Sequence, residues 1–150
     1  MPAVNPGVLQ LVRQTIYDGM VRSGRAPEAS EIAAAIGVTL EQAAELMQAL
    51  ADAHVIVLEP GASRIRFAAP FANLETGFRV TANGRTWFAP CAWDAFGIPA
   101  ALHRDARIEA CCAQSGEQLD CGVLDGRSYG KGMVHLLVPA ARFWENIVYT

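Results

Sequence analysis

The sequence predicts an α+β protein: a helical, winged-helix-like N-terminal domain over residues 1–70, then a mostly antiparallel sheet domain with short helices over residues 71–150. Three observations carry that expectation. Apolar residues recur at helical spacing between residues 8 and 50, with glycines closing the runs. Asn83-Gly84 sits between two short strand-like runs, the strongest short-range hairpin signal. Beyond about Pro70 the chain changes character, and strand-length segments dominate.

Val8, Leu9, Val12, Ile16 and Met20 define a first helix that Gly24 closes. Ser30 is expected to cap a second helix over residues 31–36, ended by Gly37. Thr39-Leu40-Glu41-Gln42 is a capping box, and Leu40, Ala43, Ala44, Met47 and Leu50 form the apolar stripe of a third helix. Helix, glycine turn, helix is the helix-turn-helix pattern. Residues 55–58, a Glu59-Pro60-Gly61-Ala62-Ser63 turn and residues 64–67 read as strand, turn, strand, the wing of a winged helix. Residues 78–81 and 86–89 flank Asn83-Gly84 as a hairpin, and a short helix follows between Pro90 and Pro99. Residues 106–112 and 118–124 form a second hairpin around Gln114-Ser115-Gly116-Glu117. A third strand is expected over residues 133–138, introduced by Asp125-Gly126, and Pro139 suits the first turn of a closing helix through Trp144.

Composition excludes several functions. A chain of 150 residues can bury roughly 70% of its unfolded surface, so it needs no disulfide or structural metal to hold a core. Twelve Lys and Arg against 15 Asp and Glu leave a formal charge of −3, which does not suit a polyanion partner. The third helix, TLEQAAELMQALADA, carries carboxylates and no Arg or Lys, so no nucleic-acid partner is expected. No stretch approaches the ~20 apolar residues of a membrane helix, so no membrane partner is expected. The N-terminal ten residues lack a basic leader pattern and are broken by Pro6-Gly7. A cytoplasmic location follows, with Cys91, Cys111, Cys112 and Cys121 as free thiols.

One segment has the makings of chemistry. Cys91 follows Pro90 where a strand gives way to a helix, and a helix N-terminus is expected to lower a thiol pKa below its free value of about 8.5. Asp94 lies three residues on, in the same first turn. A carboxylate disfavours a neighbouring thiolate, so it makes more sense as a proton carrier beside a thiol that loses its proton to a soft metal. The plainer alternatives are a small buried cysteine and an aspartate that complements the helix dipole.

The residues from Phe88 to Leu102, with the core Cys91-Ala92-Trp93-Asp94 and then Ala95-Phe96-Gly97-Ile98-Pro99, resemble the active-site segment of the organomercurial (alkylmercury) lyases. That family has a Cys-Ala-x-Asp core followed by an apolar run and a proline. The similarity continues through Ala106-Arg107-Ile108, Cys112, Ser115-Gly116, the Val134 to Pro139 stretch and Phe143-Trp144-Glu145-Asn146-Ile147. The resemblance implies cleavage of carbon–mercury bonds by protonolysis, giving a hydrocarbon and Hg(II), with no resident cofactor. Cys91 would bind the organomercurial as thiolate; Asp94 would deliver the proton and help hold Hg(II) transiently. Trp93, Phe96 and Ile98 would suit the organic substituent, and Cys112 matches a cysteine usually regarded as structural. The implied partners are an organomercurial small molecule, Hg(II) as product and a mercuric reductase as candidate acceptor.

In the family a second catalytic cysteine follows a segment like Trp144 to Thr150, so the catalytic domain is expected to be truncated at its C-terminus unless Cys111, Cys112 or Cys121 substitutes. Two readings of other classes stand beside this one. The first is a non-catalytic thiol module binding Hg(II) or Cu(I); the second is a metal-responsive helix-turn-helix regulator, which the acidic third helix disfavours. His54, His103 and His135 lack the spacing of a zinc site.

Overall fold

The computed structural model describes residues 5–149; residues 1–4, part of the stretch read for a leader, lie outside the described residues. Three helices open the chain. Helix α1 (Pro6–Ser23) starts with Asn5 accepting from the Gly7 N–H and Pro at N1. It ends as expected at Gly24, whose left-handed φ of 70° lets its N–H reach Met20 O. Helix α2 (Ala29–Ile36) begins two residues earlier than the sequence suggests. Ser30 is not its cap but lies inside it. The Glu28 N–H donates to Glu31 Oε2 at 2.7 Å, and Arg25 holds that same carboxylate at 2.8 Å. The helix start is thus held by the Glu31 carboxylate at N3, which reaches back to the N-cap N–H. Helix α3 (Leu40–Asp52) has the expected capping box, with Gln42 N–H on Thr39 Oγ1 at 3.2 Å and Thr39 N–H on Gln42 Oε1 at 3.0 Å.

Eight strands follow in one sheet: β1 (Val57–Leu58), β2 (Ile65–Ala68), β3 (Phe71–Ala72), β4 (Arg79–Ala82), β5 (Arg85–Phe88), β6 (Ala106–Cys111), β7 (Gln118–Leu124) and β8 (Arg127–Tyr129). Their spatial order is β1-β2-β3-β5-β4-β6-β7-β8, with every pair antiparallel. The expected β1–β2 pair forms one edge of this sheet, and pairing continues past residue 70 through Ala68↔Phe71. Asn83-Gly84 makes the two-residue turn of β4–β5, both residues at positive φ (48° and 73°), as a type I′ turn requires.

Trp87, Val80, Ile108 and Cys121 are successive register partners and so lie in one row on one face of the sheet. The first three are buried, and the Trp87 indole N–H donates to Met20 O at 2.8 Å, tying α1 to that face. Helix α4 (Ala92–Leu102) packs over β4, β6 and β7 of the same sheet. It is longer than the sequence suggests, running through Pro99.

Beyond β7 the structure departs from expectation. Asp125-Gly126 turns the chain straight back into β8, with the N–H groups of Asp125 and Gly126 held by the Asp105 carboxylate at 2.9 and 3.3 Å. The strand expected over residues 133–138 does not form. Gly130 and Gly132, at φ 114° and 130°, bend the chain off the sheet, and Met133 is 94% exposed. The closing helix is a short 3₁₀ turn, Ala140–Glu145.

Candidate functional site

The end of β5 leads directly into the site. Thr76 Oγ1 donates to Ala89 O at 2.6 Å and accepts from the Phe78 N–H at 3.2 Å, while Ala89 N–H reaches Phe78 O at 3.0 Å. That knot fixes the backbone immediately before Pro90. Cys91 then takes an extended conformation (φ −150°, ψ 175°) and is the N-cap of α4.

Cysteine is a poor choice for this position on stability grounds, where Ser, Thr, Asp or Asn is preferred. Its sulfur nonetheless accepts from the Asp94 N–H at 3.5 Å, and its S–H donates to Asp94 Oδ2 at 3.3 Å. The pair therefore has the outline of a capping box, except that the carboxylate reaches the cap's thiol instead of its backbone. Both side chains are half-buried.

Burial sets the electrostatics of the pair. The Asp94 carboxyl is pushed up by desolvation, opposed by its hydrogen bond from Cys91. The Cys91 thiol is also pushed up, chiefly by desolvation, with the Asp94 charge and side chain adding to the rise and the backbone N–H groups of Asp94 and Trp93 opposing it. This corrects the expectation of a depressed thiol. The helix N-terminus does act on Cys91, but burial and the adjacent carboxylate outweigh it. The resting state is a neutral thiol that shares its proton with a carboxylate of raised basicity.

Beside this turn lies a mainly apolar cavity of about 250 Å³. Phe78, Ala92, Ala95, Phe96 and Cys121 line it, together with the stretch from Gly130 to Val134. Ala92 and Ala95 are the neighbours in sequence of Cys91 and Asp94, so the cavity adjoins the pair along α4. Of the expected pocket residues, Phe96 lines this cavity. Trp93 is 68% exposed, and Ile98 is wholly buried in the core; neither lines it.

The other thiols differ sharply. Cys111 is exposed and accepts from Gln118 Nε2 at 3.1 Å. Cys112 sits at the β6–β7 turn, where the Ser115 hydroxyl and the N–H groups of Ser115 and Gln114 hold its thiol below the ordinary value. Cys121 faces the α4 side of the sheet, pushed up by burial and by Asp120. Among the described residues no three His, Cys, Asp or Glu side chains cluster as a metal site. His54 stacks on Trp144 (centroids 4.1 Å apart, planes at 5°), and His103 caps the C-terminal end of α4, the opposite end of that helix from Cys91. Reading the sequence missed Thr76 as the residue that sets the approach to Cys91; a Thr-Gly pair before a strand was the only local signal.

The family model MerB, alkylmercury lyase, matches residues 71–150. In three dimensions the chain is similar to the mercury-bound form of MerB2, with a TM-score of 0.65 and 24% identity, over 85% of this chain. That likeness is one of fold, and it spans 60% of the length of the MerB2 chain. No curated protein matches.

Proposed function

Because the chain belongs to the alkylmercury lyase family, we propose that Cys91 and Asp94 are its catalytic pair and cleave carbon–mercury bonds by protonolysis, releasing a hydrocarbon and Hg(II). The observation that carries this reading is the S–H to carboxylate contact of 3.3 Å within one helical turn. An organomercury cation, R–Hg⁺, displaces the thiol proton and binds the soft Cys91 sulfur. The displaced proton passes to Asp94, whose raised basicity favours holding it. Asp94 then gives a proton to the carbon as the Hg–C bond breaks; that bond's electron pair forms the new C–H bond, and mercury stays Hg(II).

Phe96 and the apolar cavity walls receive the organic substituent, with Trp93 outside the cavity and Ile98 anchoring α4 in the core. Hg(II) is held transiently by Cys91 and Asp94 before a mercuric reductase takes it. Cys121, on the cavity wall, is the candidate second thiol within this chain. Four unpaired cysteines suit a reducing cytoplasm. Residues 1–70, with β1–β2 as the wing, make up a winged-helix-like unit, and residues 71–150 the catalytic part. Exposed carboxylates on α3, Glu41 and Glu45, oppose a role for that unit in binding DNA.

The test is incubation with phenylmercury and assay of benzene. Catalytic benzene release that is lost in Cys91→Ser supports the lyase reading. Stoichiometric mercury uptake without benzene overturns it in favour of the thiol-binding module.

A further inference from the structure

One side chain of the helical layer reaches the turn between β2 and β3, which lies against α4. Tyr17, on α1, donates its hydroxyl to Ala69 O at 3.0 Å, across 52 residues of sequence. The next residue, Pro70, lies against α4 at Gly97: a Cβ added to Gly97 would come within 3.0 Å of Pro70 Cβ. A side chain there would need Pro70 or α4 to give by a few tenths of an ångström, so the two are in close contact. Gly97 is three residues beyond Asp94, so both lie on one face of the helix. The run of contacts from Tyr17 through Ala69 and Pro70 to Gly97 therefore ends one turn from Asp94. Tyr17 also lies within reach of the Asp94 charge. Its phenol is pushed up by burial, lowered by Arg13 and raised by the Asp94 charge. Arg13 itself sits 5.8 Å from the centre of the Tyr17 ring.

We propose that Tyr17 is a positioning residue for the Cys91–Asp94 pair: anchored on Ala69 O, it seats α4 against Pro70 and shields the Asp94 side of that turn from water. This rests on the reading of Asp94 as proton carrier. The hydroxyl is committed to a carbonyl, so Tyr17 supplies no proton itself. The titratable and charged groups around Asp94 are Cys91 on its own helix, Tyr17 with Arg13 from α1, and Cys121 with Lys131 at the adjoining cavity. Arg107, Glu109 and Asp120 pair with one another on the opposite face of the sheet.

Two variants of the full chain test it. Tyr17→Phe removes the anchor and keeps the ring; Tyr17→Ala removes both. The primary readout needs no turnover: the pH dependence of Cys91 alkylation by iodoacetamide, followed by mass spectrometry of the Cys91 peptide. Water admitted to the turn relieves the desolvation of both groups, so the Cys91 midpoint is expected to fall by about half a unit or more in Tyr17→Ala, and by less in Tyr17→Phe. In phenylmercury turnover, kcat falls with KM little changed. A loss of melting temperature with the alkylation midpoint unmoved in both variants overturns the proposal, since a merely structural tyrosine gives that result. Tyr17→Phe keeps the test decisive if Tyr17→Ala fails to fold. Should the wild-type chain release no benzene, the lyase reading fails, while the alkylation midpoints still decide whether Tyr17 governs the pair.

Discussion

Replacing Asp94 by Asn is expected to make Cys91 more reactive and the protein a poorer catalyst. The sulfur and Oδ2 lie 3.3 Å apart. A unit-charge pair at that separation is worth about 5 kcal/mol at an effective dielectric of 20 and about 1 kcal/mol in bulk water. The pair is half-buried, so solvent screening places the repulsion felt by a Cys91 thiolate toward the lower part of that range. One to two pH units, roughly 1.4–2.8 kcal/mol, is the resulting expectation for the fall in the Cys91 midpoint. The Asp94 charge and its side-chain hydrogen bond both push the thiol up, so removing the charge lowers it. The Asp94 backbone N–H, which opposes that rise, is kept in the variant. Iodoacetamide alkylation at pH 7 should therefore speed up by about tenfold or more, while benzene release from phenylmercury falls by about 10²–10⁴ as the proton donor is lost. An alkylation midpoint that stays put, or rises, would refute the reasoning, because the thiol would then not be in electrostatic contact with the carboxylate.

Three further outcomes follow from other parts of the molecule. Thr76→Val strips partners from Ala89 O and Phe78 N–H, and should cost about 1–3 kcal/mol in urea unfolding while loosening the approach to Cys91. Phe96→Ala removes an aromatic wall of the cavity, and should raise KM for phenylmercury by roughly tenfold, with a smaller effect for methylmercury. Glu31 is lowered from 4.5 to about 2 by its hydrogen bond to Arg25 and by the Glu28 N–H. Its folded pKa lies below the unfolded one, so its stabilisation is present above about pH 4.5 and is lost as pH falls through about 2. Arg25→Ala should return the Glu31 titration seen by NMR toward 4.5 and start acid unfolding at higher pH.

What the sequence makes legible is what is settled locally. Gly24, the Thr39–Gln42 box and Asn83-Gly84 each dictate a backbone conformation within four residues, and each appears as expected. The Cys91–Asp94 contact is legible for the same reason, being one helical turn long. Strand β8 has no apolar alternation, because Arg127, Ser128 and Tyr129 are all exposed, so no periodicity marks it. The stretch from Met133 to Val138 is apolar without being paired, since the two positive-φ glycines before it steer the chain away from the sheet. Ser30 competed for its cap with a carboxylate whose hold depends on Arg25, six residues away from Glu31. Tyr17 and Thr76 act through backbone carbonyls 52 and 13 residues distant, and no residue-type pattern encodes such partners. The sign of the Cys91 shift belongs to the same class. The helix start is readable from sequence, whereas the burial that outweighs it is a tertiary property.

The most direct measurement is single-turnover protonolysis of phenylmercury in D₂O, with benzene detected by headspace mass spectrometry for the wild type, Cys91→Ser and Asp94→Asn. Catalysis by this pair requires monodeuterated benzene from the wild type, none above background from Cys91→Ser, and a rate reduced about 10²-fold or more in Asp94→Asn. Benzene released equally fast by wild type and Asp94→Asn would contradict the assignment of Asp94 as the proton donor.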